Sequence, residues 1–169
     1  MKVGRVFAAC LVLSLVLGAC SRTPEPTRSD PSASSAATLA ANAPKAIQIL
    51  PAPAGDVATV VREARAKAKS EGRTVIVYVG ATWCEPCRRF HDAAKAGELD
   101  ARFPSLSLLE FDLDQDRKRL DTAGYTSEYV PLFTVPGDDG RATSKHIEGA
   151  STKGAGAVAD ITSRLKALL

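Results

Sequence analysis

The chain has 169 residues, of which 45% are hydrophobic, and its 22 Lys and Arg residues nearly balance 19 Asp and Glu residues. A chain of this length has room for one domain with its own core once terminal segments are subtracted. Because Lys2 and Arg5 lie in an N-terminal segment that we expect to be removed, the remainder is close to neutral. This composition lacks the electrostatic footprint of nucleic-acid binding, and we expect no nucleic-acid partner.

The N-terminal segment has the parts of a secretory signal peptide. Two basic residues precede an apolar stretch at residues 6–17, and the small residues Gly18 and Ala19 come directly before Cys20. The apolar stretch is shorter than the roughly 20 residues that a membrane-spanning helix needs. We therefore expect residues 1–19 to be a signal peptide, with a short transmembrane anchor as the alternative.

The tripeptide Leu-Gly-Ala before Cys20 resembles the lipobox of bacterial lipoproteins. That family is cleaved before the cysteine, so the resemblance implies that Cys20 becomes the acylated first residue of the mature protein. It also implies that Ser21 favours the outer membrane. Several acyl chains give the stable attachment that one chain does not. We therefore expect a protein anchored in the cell envelope, on its periplasmic face.

Residues 20–54 are expected to be the lipidated cysteine followed by a flexible linker. They are rich in Ser, Ala, Thr and Pro, with almost no large apolar residue before Ile47, and cannot bury enough surface to become ordered. Such a linker has a root-mean-square span on the order of 30 Å. Residues 47–50 form either a short edge strand or the end of this linker. The folded domain is expected at residues 55–169.

Alternating strand and helix patterns predict one mixed α/β domain. The predicted helices lie near residues 56–72, 84–95, 117–123 and 158–168, and the predicted strands near residues 74–79, 106–111, 132–135 and 144–148. A β-α-β unit followed by a hairpin and a terminal helix predicts a mixed central sheet with helices on both faces. The acidic stretch 112–116 is interpreted as a solvated strand end without a role.

Cys84 and Cys87 are the cysteines that remain once Cys10 leaves with the signal peptide and Cys20 is lipidated. Two intervening residues close too small a loop to staple a fold, which indicates a redox-active pair. The pair opens a predicted helix, where free N–H groups and the helix dipole stabilise a thiolate. We expect Cys84 to be the nucleophile and Cys87 to be the resolving cysteine.

Other uses of this cysteine pair stay open. One is a pair of buried structural thiols, and another is a zinc site, for which the four available ligands are Cys84, Cys87, His91 and His146. A haem attachment site would need His directly after Cys87, where Arg88 stands. We expect no metal and no cofactor, and interpret His91 as a solvated side chain.

The motif Trp83-Cys84-Glu85-Pro86-Cys87 resembles the thioredoxin active site, which lies between the same strand and helix. The resemblance implies a thioredoxin-like, three-layer α/β/α fold with a mixed central sheet. It also implies that Trp83 lies on the surface beside the reactive sulfur. Pro86 fits the first helical turn, where its missing N–H costs little.

Val130-Pro131 matches the position of the cis-proline that lies opposite the cysteines in thioredoxins. The resemblance implies that Pro131 is cis and borders the substrate groove, and that the Val130 backbone pairs with a bound polypeptide. Residues 73–141 are also similar to the C-terminal thioredoxin-like domain of transmembrane thiol:disulfide interchange proteins. That similarity is carried by the cysteine motif with residues 88–90 after it and by residues 111–114 before the proline.

The sequence departs from thioredoxins at Tyr78, where that family carries a buried acid on the strand before the motif. The usual proton acceptor for Cys87 is therefore absent. Glu85, inside the motif, and Glu110, on the next strand, are the candidate substitutes.

The resemblance implies an extracytoplasmic, membrane-anchored thiol–disulfide oxidoreductase that acts on exported protein disulfides and is recharged by an upstream redox donor. The charge of Glu85 beside Cys84 favours a reductase over an oxidant or isomerase, since it opposes a thiolate. The alternative is a thioredoxin-fold binding or assembly module without turnover, against which the retained cysteines and Pro131 argue. A thioredoxin-type domain is expected to be a monomer.

Overall fold

The computed structural model describes residues 45–169. The expected signal peptide (1–19), the expected lipidation site Cys20 and most of the expected linker lie outside the described residues. Between residues 45 and 169, no helix has the length and apolar character needed to cross a membrane.

The described part of the chain contains five strands and four helices. The strands are β1 (Gln48–Pro51), β2 (Thr74–Gly80), β3 (Leu106–Asp112), β4 (Leu132–Pro136) and β5 (Ala142–Glu148). The helices are α1 (Val57–Ser70), α2 (Glu85–Lys95), α3 (Leu113–Thr122) and α4 (Ala157–Leu168), the last preceded by a 3₁₀ turn at Gly154–Gly156.

The five strands form one mixed sheet in the order β1-β3-β2-β4-β5. Strands β1, β3 and β2 run parallel, whereas β4 is antiparallel to both β2 and β5. Helix α1 packs with α3, and α2 packs with α4, so the sheet is covered on both faces. The expected three-layer α/β/α architecture with a mixed central sheet is confirmed.

Strand β2 is central and almost wholly buried because its β-branched side chains pack against both helical layers. Tyr78 stacks on Phe133 of β4 with ring centroids 4.9 Å apart, and Phe90 of α2 meets Phe133 edge-on at 5.2 Å. These aromatic contacts fix α2, and therefore the cysteine pair at its start, against the end of the sheet.

The ordered fold begins before the expected boundary at residues 54 and 55. Strand β1 pairs with β3, and the Ile47 N–H donates a hydrogen bond to Asp100 Oδ1 at 3.1 Å. The Ile47 side chain is buried in the core. The segment 47–50 is thus an edge strand because β3 offers it both backbone partners and apolar cover.

Helix α3 begins at residue 113, earlier than the expected residue 117, and the acidic stretch supplies its N-terminus. The Asp112 carboxylate accepts hydrogen bonds from the N–H groups of Asp114 and Gln115, at 2.9 and 3.1 Å. Acidic side chains at a helix start also favour its dipole. The interpretation of residues 112–116 as a solvated strand end is therefore wrong: they cap and begin a helix.

Candidate functional site

Cys84 and Cys87 form a disulfide at the start of α2, with their Cα atoms 5.2 Å apart. Cys84 is the N-cap residue of the helix, and its sulfur accepts a hydrogen bond from the Cys87 N–H at 3.2 Å. Both cysteines are buried, with 4% and 3% of their surfaces exposed. The Cys84 sulfur therefore accepts a hydrogen bond from a backbone N–H and lies at the positive end of the helix dipole.

The two residues between the cysteines lie in the first turn of α2, and Pro86 is tolerated there. Glu85 forms an ion pair with Arg89, one turn further along the helix. Hydrogen bonding to Arg89 holds the pKa of Glu85 below its ordinary value. Because this charge is paired with Arg89, the structure weakens the argument that Glu85 opposes a Cys84 thiolate.

Trp83 stands beside the disulfide with 61% of its surface exposed. Its indole N–H donates a hydrogen bond to Asp114 Oδ2 at 2.9 Å, which ties the ring to the start of α3. Sequence reasoning missed Asp114 because the contact spans 31 positions and depends on where α3 begins.

Pro131 lies next to the end of β2, since Leu132 is the register partner of Val79. The Val130–Pro131 peptide bond is cis, as the resemblance implies. The Pro131 carbonyl accepts a hydrogen bond from the Gly149 N–H at 2.9 Å, while the side chain of Tyr129 is 62% exposed. The sheet thus brings Val130 and Pro131 to the edge from which the cysteine loop departs.

A pocket of about 750 Å³ opens beside Cys87. Cys87, Tyr78, His91 and Glu110 all line it. His91 Nε2 lies 2.6 Å from Glu110 Oε1, and the side chains of His91 and Glu110 are only 21% and 30% exposed. The expectation that His91 is solvated is therefore wrong, because Glu110 on the neighbouring strand holds its ring in the pocket.

Tyr78, which stands where thioredoxins carry an acid, is fully buried. Its hydroxyl has no hydrogen-bond partner among residues 45–169. Burial, together with the nearby charge of Glu110, raises the pKa of Tyr78 far above its ordinary value. Tyr78 is therefore neutral near pH 7, and its phenol does not replace the carboxylate as a proton acceptor.

The zinc alternative is not assembled in the described part of the chain. His91 lies in the pocket with Cys87, whereas His146 on β5 lines a different depression with Leu113 and Arg117. Among residues 45–169, no group of three or more His, Cys, Asp or Glu side chains is arranged to hold a metal ion.

Comparison with known proteins adds a thioredoxin similarity. The chain is 29% identical over 87 residues to "Thioredoxin Asp f 28" of Aspergillus fumigatus. The matched region covers 52% of this chain and 76% of that protein. Thioredoxin O1 of Arabidopsis thaliana in its oxidised state matches with a TM-score of 0.40 and 19% identity, over 63% of this chain and 88% of that chain. No protein-family model matches the sequence. At this modest identity, the chain is similar to thioredoxins and carries the disulfide-bonded cysteine pair of a thioredoxin-like redox site.

Proposed function

We propose that this protein is an exported, lipid-anchored thiol–disulfide oxidoreductase that reduces disulfides in other exported proteins. The observation that carries the proposal is the Cys84–Cys87 disulfide at the N-terminus of α2, directly after a buried strand. The similarity to a curated thioredoxin supports the chemistry. The signal-peptide pattern and the lipobox-like tripeptide before Cys20 support the location.

In the reduced enzyme, the Cys84 thiolate attacks one sulfur of a substrate disulfide. A bond forms between Cys84 and that sulfur, and the other substrate sulfur leaves as a thiolate that takes a proton from solvent. Cys87 then loses its proton and attacks the Cys84 sulfur, which releases the second substrate thiol and closes the Cys84–Cys87 disulfide. The cysteine pair has given two electrons, and an upstream dithiol donor restores it.

The substrate chain is proposed to lie between Trp83 and the Val130-Pro131 segment. Among residues 45–169, no hydrogen bond to another backbone group engages the Val130 N–H or carbonyl. An extended polypeptide can therefore pair with these groups in the manner of an added strand. The rings of Trp83 and Tyr129 are exposed and offer apolar contact to such a chain.

Burial of the cysteine pair supports a reductase. Removing a thiolate from water disfavours its charge, in opposition to the helix dipole. A less stabilised thiolate makes the dithiol form less stable relative to the disulfide, and such a couple gives up electrons more readily. Cys84 and Cys87 are both nearly inaccessible, so this effect acts on each sulfur.

Catalysed reduction of insulin disulfides by dithiothreitol tests the activity, with the full chain purified in mild detergent. We expect the protein to accelerate reduction and Cys84→Ser to abolish the acceleration. Cys87→Ser should trap a mixed disulfide on Cys84. Cys20→Ser is the matched control, because it removes the proposed anchor and leaves the active pair intact. A parent protein without any acceleration, or a Cys84→Ser variant as active as the parent, would contradict the proposal.

Metabolic labelling with a tagged fatty acid in an expressing bacterium tests the anchor. The parent chain should acquire the label and sediment with membranes, whereas Cys20→Ser should do neither. Cys10→Ser is the control, since that cysteine is expected to leave with the signal peptide. Equal labelling of the parent and Cys20→Ser would contradict the anchor.

A further inference from the structure

The pocket beside Cys87 contains an imidazole–carboxylate pair that the exchange mechanism above does not use. Cys87 and His91 are four residues apart on α2 and line the same pocket. Side chains at this helical spacing are neighbours, with Cβ atoms about 5–6 Å apart. His91 therefore lies one turn after Cys87, on the same face of α2 as the Cys87 side chain.

Glu110 determines which nitrogen of His91 is free. A carboxylate only accepts hydrogen bonds, so the 2.6 Å contact between Glu110 Oε1 and His91 Nε2 places the imidazole proton on Nε2. The Nδ1 atom is then left with a lone pair. The Tyr78 ring, 5.7 Å from the His91 ring between centroids, packs against the imidazole. The ring is thus held by a hydrogen bond and an aromatic contact.

We propose that His91 accepts the Cys87 proton during resolution of the mixed disulfide, and that Glu110 positions the imidazole and stabilises its protonated form. The inference rests on the proposed thiol–disulfide exchange. As the S–H bond of Cys87 breaks, its proton moves to His91 Nδ1, directly or through one water. The Cys87 sulfur bonds to Cys84, and the Cys84–substrate bond breaks. The released substrate thiolate takes the proton back through the pocket.

Other charged groups also face this pocket, from three elements. They are Arg88, Asp92 and Lys95 on α2, Asp112 on β3, and Asp116 and Arg119 on α3.

The carboxylates nearest the α3 end of the pocket already have partners. Asp112 caps α3, and Asp116 pairs with Arg119 at 2.9 Å. Asp92 is exposed on α2. Tyr78 retains its own proton because burial raises its pKa. His91 with Glu110 is therefore the pair in the pocket that has both a free basic atom and a group that stabilises its protonated form.

The test separates the two chemical steps in the full chain. Reduced protein is mixed with excess glutathione disulfide, quenched with acid at intervals, and mapped by mass spectrometry for the mixed disulfide at Cys84. The variants are His91→Gln and Glu110→Gln, and His146→Gln is the control because it alters the chain's other histidine, which is exposed on β5. Circular dichroism checks that each variant is folded, since an unfolded chain would also react with glutathione disulfide.

At pH 7, we expect His91→Gln to slow resolution about 100-fold, the lower end of what general base catalysis typically contributes. Attack by Cys84 should be unchanged, so the mixed disulfide accumulates. The pH dependence of the resolution rate should also differ between the parent and His91→Gln, because only the parent has an imidazole in the pocket to accept the Cys87 proton. Glu110→Gln should show a smaller loss, and His146→Gln none.

Identical resolution rates and pH profiles in the parent and His91→Gln would overturn the assignment. Equal losses in His91→Gln and His146→Gln would also overturn it, because the effect would not belong to this pocket. Failure of the proposed function has a different signature: the parent itself would form neither the mixed disulfide at Cys84 nor the Cys84–Cys87 disulfide.

Discussion

Tyr78 and Tyr125 allow the removal of a buried tyrosine hydroxyl to be tested in two environments. Both side chains are buried, with 0% and 2% of their surfaces exposed. The Tyr78 hydroxyl has no partner among residues 45–169, whereas the Tyr125 hydroxyl donates to the Gly140 carbonyl at 2.9 Å. Replacing either residue with Phe removes a single oxygen atom. The two variants therefore differ in whether that oxygen makes a hydrogen bond.

We expect Tyr78→Phe to raise the free energy of unfolding by about 1 kcal/mol. A buried hydroxyl without a partner costs roughly 1–3 kcal/mol in lost hydration, and part of the gain is offset by the small void that its removal leaves. Tyr125→Phe should lower the free energy of unfolding by about 1–2 kcal/mol, because it deletes a hydrogen bond and leaves a buried carbonyl unpaired.

Urea unfolding of the oxidised full chain, followed by circular dichroism, measures both changes. The midpoints of the two variants should move in opposite directions at an unchanged slope. A Tyr78→Phe variant destabilised by more than about 1 kcal/mol would refute the reasoning, since its hydroxyl would then have to make a bond worth that much.

Three further predictions concern stability. Gly140→Ala should lower the free energy of unfolding by at least about 2 kcal/mol, because Gly140 has φ of 79° and an added Cβ would overlap the Ala58 carbonyl. An unchanged midpoint in a denaturant titration would contradict this. Arg73→Met should destabilise by about 2 kcal/mol or more, since the buried guanidinium donates three hydrogen bonds, and equal stability would show those bonds to be dispensable. Burial raises the pKa of Tyr78 and Tyr125 in the folded state, so the unfolded chain binds fewer protons than the folded chain above about pH 10. The free energy of unfolding should therefore fall there, by up to about 1.4 kcal/mol per pH unit for each group. Replacing either tyrosine with Phe should make this fall less steep in alkaline unfolding experiments.

The cysteine motif could be found in the sequence because its chemistry depends on local spacing. Two residues between Cys84 and Cys87, a strand before them and helix formers after them are all visible in a short window. The layer architecture was likewise predictable from the order of strand and helix patterns. The position of Pro131 came from a family resemblance, since no local pattern reports a cis bond.

The pocket beside Cys87 could not be predicted in the same way. The contact between His91 and Glu110 spans 19 positions and exists because the register of β2 and β3 places Glu110 opposite Tyr78. A lone His on a helix gives no such indication. The acidic stretch at residues 112–116 was also misjudged, because its role depends on the backbone turning from β3 directly into α3.

The reduction potential of the Cys84–Cys87 couple tests the central claim most directly. The full chain would be equilibrated in thiol buffers of graded potential, trapped by alkylation, and mapped at both cysteines. We expect one two-electron transition with a potential on the reducing side of about −200 mV, toward the roughly −270 mV of thioredoxin. A value near −120 mV would contradict the reductase, and a pair that never closes a disulfide would contradict thiol–disulfide exchange itself.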